Sequence, residues 1–147
     1  VLSRVEVMSR YEVIIEHYAK VLHIEAMTML EMANKQLIPA ATAYMSDVAS
    51  AAAAKMAVSE KLSCKAENKV LEKLSAATDA MSDAVDALDA AVESAESETD
   101  SLEKAKAYRD KVLPAMADLR TNADAAEVVC GEDYWPLPSY SKMLYYV

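Results

Sequence analysis

The residues best equipped for chemistry in this sequence are two histidines, two cysteines and a row of carboxylates. His17 and His23 stand six apart, not the four that place two imidazoles over one metal on a helix face. Glu16 lies beside His17 and Glu12 a turn earlier, a thin carboxylate–imidazole set that reads as ordinary helix surface. Cys64 and Cys130 are far apart and show neither CxxC nor Cys/His metal spacing, so reduced thiols of a cytoplasmic protein are expected. Asp79, Asp83, Asp86, Asp89, Glu93 and Glu96 fall on one side of a helix, and no glycine-turned calcium loop accompanies them. A solvated acidic face is the expectation. Ser/His/Asp and Cys/His catalysis have no local signature, and a single glycine leaves no loop to cradle phosphate. No catalytic, cofactor-binding or metal-ligating residue is therefore expected in the chain itself.

The elements that would position these residues are long helices. The 147 residues include one Gly, four Pro, no Phe and nine Met, so the chain has few turn-formers. Alanine, leucine, methionine, glutamate and lysine, which dominate, are good helix formers. The fold class expected is all-α, one domain, as an antiparallel up-down-up bundle of three long helices. The first helix is predicted over about 6–57, opened by a Ser3–Glu6 capping box and kinked at Pro39. Its apolar face includes Val7, Tyr11, Ile14, Ile15, Tyr18, Val21 and Leu22 at steps of three and four. Met27, Met29 and Met32 read as core filler. Ser59 to Cys64 is the first turn.

The second helix is predicted over about 65–97, with Val70, Leu74, Ala77, Met81, Ala84, Leu88, Ala91 and Ala95 as a heptad seam. A turn at Glu98 to Ser101 supplies Thr99, Asp100 and Ser101 as possible N-caps. The third helix, about 101–130, is kinked at Pro114 and stopped by Gly131 as a C′ residue. The two prolines are expected at nearly equal height. The tail, 131–147, is expected to run extended through Pro136 and Pro138 and to dock by its aromatics. Residues before about Leu22 overhang this bundle. An interface is accordingly expected at Tyr11, Ile14, Ile15, Tyr18, Trp135 and Tyr140.

Charge narrows the partners. The net charge is −9 at pH 7, which argues against nucleic acid and anionic membrane surfaces. No apolar run approaches the length of a membrane-spanning helix, and no signal peptide is visible. Valine at position 1 suggests a fragment of something longer.

Four motifs in order resemble the C-terminal helical region of type III glutamine synthetases. The first is Tyr18, Lys20, Ile24, Glu25, Ala26 and Met29, continued by Met32-Ala33, Ile38-Pro39-Ala40 and Tyr44. Leu119-Arg120 with Ala123-Asp124 and Glu127 follows, then Trp135-Pro136-Leu137-Pro138-Ser139-Tyr140 near the end. Ala49 to Ala107 agrees in helical character more than in motif. His23 stands where a polar residue is usual, and the ending Met143-Leu144-Tyr145-Tyr146 departs from a Leu-Leu-Phe type.

The resemblance implies a parent that joins glutamate and ammonia with ATP and Mg²⁺ or Mn²⁺, assembled as a dodecamer of two hexameric rings. Its catalytic domains would lie upstream. This chain would then be a non-catalytic, oligomer-stabilising C-terminal domain in the cytoplasm. Its partners would be its own catalytic domain and neighbouring subunits, and the fragment alone could form a homodimer. The alternative is a free-standing helical-bundle or coiled-coil interaction module.

Overall fold

A computed structural model describes residues 3–138 and 140–144 of the chain. Its described elements are helical, and in chain order they are as follows. Helix α1 (Arg4–Met32) passes through a π-helical turn (Ala33–Leu37) into α2 (Ile38–Val58). Helix α3 spans Lys65–Glu96. Helix α4 (Ser101–Ala107) passes through a second π-helical turn (Tyr108–Val112) into α5 (Leu113–Glu127), and a short α6 covers Tyr140–Leu144. The contacts group into two compact units. One comprises the residues up to Glu31 with Ala84–Leu119; the other comprises Met32–Asp83 with the residues from Arg120 onward.

The helix starts follow capping chemistry. Ser3 N–H donates to Glu6 Oε2 at 2.7 Å and Glu6 N–H to Ser3 Oγ at 3.3 Å, the reciprocal bonds of a capping box. The Ser3 N–H, and after it the Ser3 hydroxyl, both donating to Glu6 Oε2, hold the exposed Glu6 carboxyl below its ordinary range. Of the three cap candidates before α4, Asp100 takes the role, accepting from Leu102 and Glu103 N–H at 3.1 and 3.0 Å.

Both internal prolines are met by the same backbone device. A proline has no N–H for the carbonyl four residues back, and its ring crowds that carbonyl in an α-helix. Each π-helical turn ends two residues before a proline, and the residue preceding the proline donates five residues back. Ile38 N–H reaches Ala33 O, and Leu113 N–H reaches Tyr108 O. The widened turn carries the helical path past Pro39 and Pro114 without a break.

Three expectations need correction. First, the most buried line of α3 is Leu74, Thr78, Met81, Val85, Leu88, Val92 and Ala95, a heptad seam turned slightly from the expected one. Val70, Ala77 and Ala91 are only half-buried, while Ala84 is buried. Branched side chains at 78, 85 and 92 have more apolar surface to lose than alanine methyls. Thr78 tolerates burial because its hydroxyl donates to Leu74 O at 2.7 Å.

Second, α5 ends at Glu127 and Gly131 is not left-handed, so it does not act as a C′ cap. Its missing side chain serves packing instead: a Cβ there would lie 3.1 Å from Tyr44 Cε2. Third, the tail is extended only locally. It turns at Gly131, whose carbonyl accepts from Tyr134 and Trp135 N–H, and becomes helical at Tyr140–Leu144, past the last proline.

The corrected seam predicts a contrast within α3. Val92→Ala should destabilise by about 1–2 kcal/mol, since two buried methyl groups are removed. Ala91→Ser should stay within about 0.5 kcal/mol. Urea unfolding of both variants checks this, and equal losses would restore the alanine seam.

Candidate functional site

The unit containing α1's first 28 residues holds a polar cluster built from three segments. Tyr108, at the start of the second π-helical turn, is fully buried. Its hydroxyl donates to Glu96 Oε1 at 2.6 Å, at the C-terminal end of α3. His23 Nδ1, on α1, lies 2.9 Å from the same hydroxyl. The phenol has one hydrogen and gives it to the carboxylate, so the short histidine contact requires Nδ1 to carry a proton and donate. Glu96 Oε2 in turn receives Lys104 Nζ at 3.3 Å.

Burial raises the Tyr108 phenol well above its ordinary range, and the bond to Glu96 adds to this. The same bond, with smaller help from Lys104, holds the Glu96 carboxyl below its ordinary range. A phenol held protonated is neither base nor nucleophile at neutral pH. The arrangement ties segments together.

A cavity of about 500 Å³ opens beside this cluster, lined among others by Glu16, Lys20, His23, Glu96, Glu98 and Lys104. Its charges are mixed in sign. Lys20 pairs loosely with Glu16 at 3.9 Å across the exposed surface, a contact of little energetic weight. Among the described residues no group of three His, Cys, Asp or Glu is placed to hold a metal ion. The acidic row of α3, Asp79 to Glu96, is exposed.

The residues singled out from sequence fall into two kinds. Tyr11, Ile14 and Tyr18 are exposed and Ile15 is half-buried. From Arg4 to Tyr18 no residue of α1 is buried; the first is Ala19. Exposed valines and methionines (Val5, Val7, Met8, Val13) extend this apolar surface.

Trp135, in the other unit, is buried, and its Nε1 is buried without a hydrogen-bond partner. Beside it in sequence, Tyr134 packs against Tyr44 with ring centroids 5.1 Å apart and planes tilted by 49°, and donates its hydroxyl to Asp47. Tyr134 of the tail thus packs against α2. The side chain of Tyr140 lies outside the described residues. Cys130 is buried, which pushes its thiol up, and Cys64 Sγ donates to Ala52 O at 3.5 Å.

Sequence reasoning missed the His23–Tyr108–Glu96 set. His23 and Tyr108 are 85 residues apart, and neither carries a local motif. The one available signal was a tyrosine just ahead of a proline in a helical run, at Tyr108 before Pro114.

Tyr108→Phe removes the shared hydroxyl and should cost roughly 1–3 kcal/mol. It should also flatten the acid dependence of stability. Glu96 has a depressed folded pKa, so its contribution is complete above the ordinary glutamate range and is lost as pH falls through the folded value. Urea unfolding at neutral pH and at about pH 3 should show a smaller acid loss in the variant than in the unaltered chain. An equally steep loss would remove Tyr108 as the cause.

Comparison with known proteins agrees with the motifs. Residues 1–56 match the family model described as the glutamine synthetase C-terminal domain. A glutamine synthetase of Butyrivibrio fibrisolvens is 35% identical over 99% of this chain, which covers 21% of that protein. A type-3 glutamine synthetase of Dictyostelium discoideum is 26% identical over 99% of the chain and 20% of its own length. A glutamine synthetase of Bacteroides fragilis is 24% identical with the same coverage. The chain spans about a fifth of the length of these relatives. Over residues 1–56 the chain is thus similar to the glutamine synthetase C-terminal domain, and over 99% of its length to glutamine synthetases, one of them a type-3 enzyme.

Proposed function

We propose that this chain is the structural C-terminal segment of a type III glutamine synthetase, stabilising the oligomer and contributing no catalytic group. The observation that carries the reading is the open apolar face of α1. Val5, Val7, Met8, Tyr11, Val13 and Ile14 are each about half exposed or more, in a helix whose first buried residue is Ala19. A run of apolar side chains in water marks a protein-contact surface. In this reading Tyr11, Ile14, Ile15 and Tyr18 meet the catalytic body or a neighbouring subunit. The tail around Trp135 and Tyr140 contributes to the same assembly.

The three helical runs pack up-down-up, with the first and third bent at Pro39 and Pro114. ATP and Mg²⁺ or Mn²⁺ bind in the remainder of the enzyme. The polar cluster at Tyr108 supports this division, because its phenol is held protonated and its carboxylate is engaged on both oxygens. Within a cytoplasmic enzyme of nitrogen assimilation, the segment is architecture.

The reading predicts that the purified chain, given glutamate, ammonia, ATP and Mg²⁺, forms no glutamine above a protein-free control. A coupled assay for glutamine and phosphate release checks this. Turnover by the chain that is lost on adding a metal chelator would overturn the non-catalytic assignment.

A further inference from the structure

The open face of α1 is self-complementary. Arg4, Val7, Tyr11, Ile14, Tyr18, Val21 and Glu25 follow one another at alternating steps of three and four, so they form one stripe along the helix. All seven are exposed, Ile14 at the centre most of the apolar five at 68%. The stripe reads the same in both directions by residue type: Val, Tyr, Ile, Tyr, Val. Only its ends differ, and they differ in sign, Arg4 at one and Glu25 at the other.

We infer that the occupant of this stripe is the same stripe of a second copy of the chain, laid antiparallel about a two-fold axis at Ile14. An isologous contact brings residue i to residue j and j to i. Here Ile14 meets Ile14, Tyr11 meets Tyr18, Val7 meets Val21, and Arg4 meets Glu25 at both ends. A parallel arrangement would set arginine on arginine and glutamate on glutamate, which like-charge repulsion disfavours. Charge complementarity therefore fixes both the partner and its direction.

The stripe is about 32 Å long at 1.5 Å per residue, three heptads, the short end for a two-stranded pairing. The dimer is accordingly weak and concentration-dependent. This inference rests on the oligomer-stabilising reading above and deepens it by naming the contact between subunits.

Sedimentation equilibrium of the full chain over a wide concentration range tests it. The expected result is a reversible rise from 16.0 kDa toward twice that mass. Ile14→Asp should weaken the dimer by roughly tenfold or more, as loss of a central contact does. Arg4→Glu should weaken it roughly several-fold, and Arg4→Glu combined with Glu25→Arg should recover the original strength, because the end pairs are re-formed with reversed sign.

Helical circular dichroism equal to that of the unaltered chain identifies variants that fold. A chain that stays monomeric at every concentration overturns the inference while leaving the glutamine synthetase reading intact, the stripe then belonging to another surface of the enzyme. A dimer indifferent to Ile14, or a double charge variant as weak as the single one, overturns it equally.

Discussion

The hydroxyl of Tyr108 is the interaction on which one half of this chain depends. A phenol buried from water needs a partner, since an unpaired polar group in the interior costs on the order of 1–3 kcal/mol. Here the partners come from two other helices: Glu96 accepts the proton and His23 donates to the oxygen. One atom thereby fixes the position of α1, the end of α3 and the second π-helical turn relative to one another. Lys104 completes the carboxylate's shell and adds to the larger effect of the Tyr108 bond in holding it below its ordinary range.

The turn that carries Tyr108 has its own cause. Pro114 lies just beyond it, and a helix can pass a proline only if the carbonyl opposite is moved aside. Widening one turn does this, and it repeats before Pro39 with the same five-residue offset. The turn that clears the proline thus begins at Tyr108 itself. Gly131 is the counterpart in the other unit, where a missing Cβ lets Tyr44 come close enough to pack at a tilt against Tyr134.

Much of this was written in local signals. The scarcity of glycine and proline, the Ser3–Glu6 box and the Asp100 cap each depend on neighbours within a few residues, and each was legible. The α3 seam was legible in period but not in phase, because alanines at 77, 84 and 91 satisfy the same heptad as Thr78, Val85 and Val92. Only competition for burial separates the two sets. The His23–Tyr108–Glu96 cluster was not legible, since its members meet through the fold and share no spacing. The role of Gly131 was misread for a related reason: helix ends suggest a left-handed cap, whereas the actual constraint came from a tyrosine nearly ninety residues earlier.

What the chain leaves uncovered matters as much as what it packs. The N-terminal half of α1 presents valine, isoleucine and tyrosine to water, while the rest of the same helix buries one line of residues, Ala19, Leu22, Ala26 and Leu30. In the proposed reading that open half is the surface by which the segment joins a larger assembly. The similarity to glutamine synthetases about five times its length supports the proposal that this surface meets the rest of such an enzyme. The most direct measurement is the mass of the native polypeptide in its source cell, detected with an antibody raised against this chain. The account predicts a band far heavier than 16.0 kDa, carrying the catalytic domains on the same polypeptide. A band at 16.0 kDa itself would contradict it and make the chain a free-standing helical module.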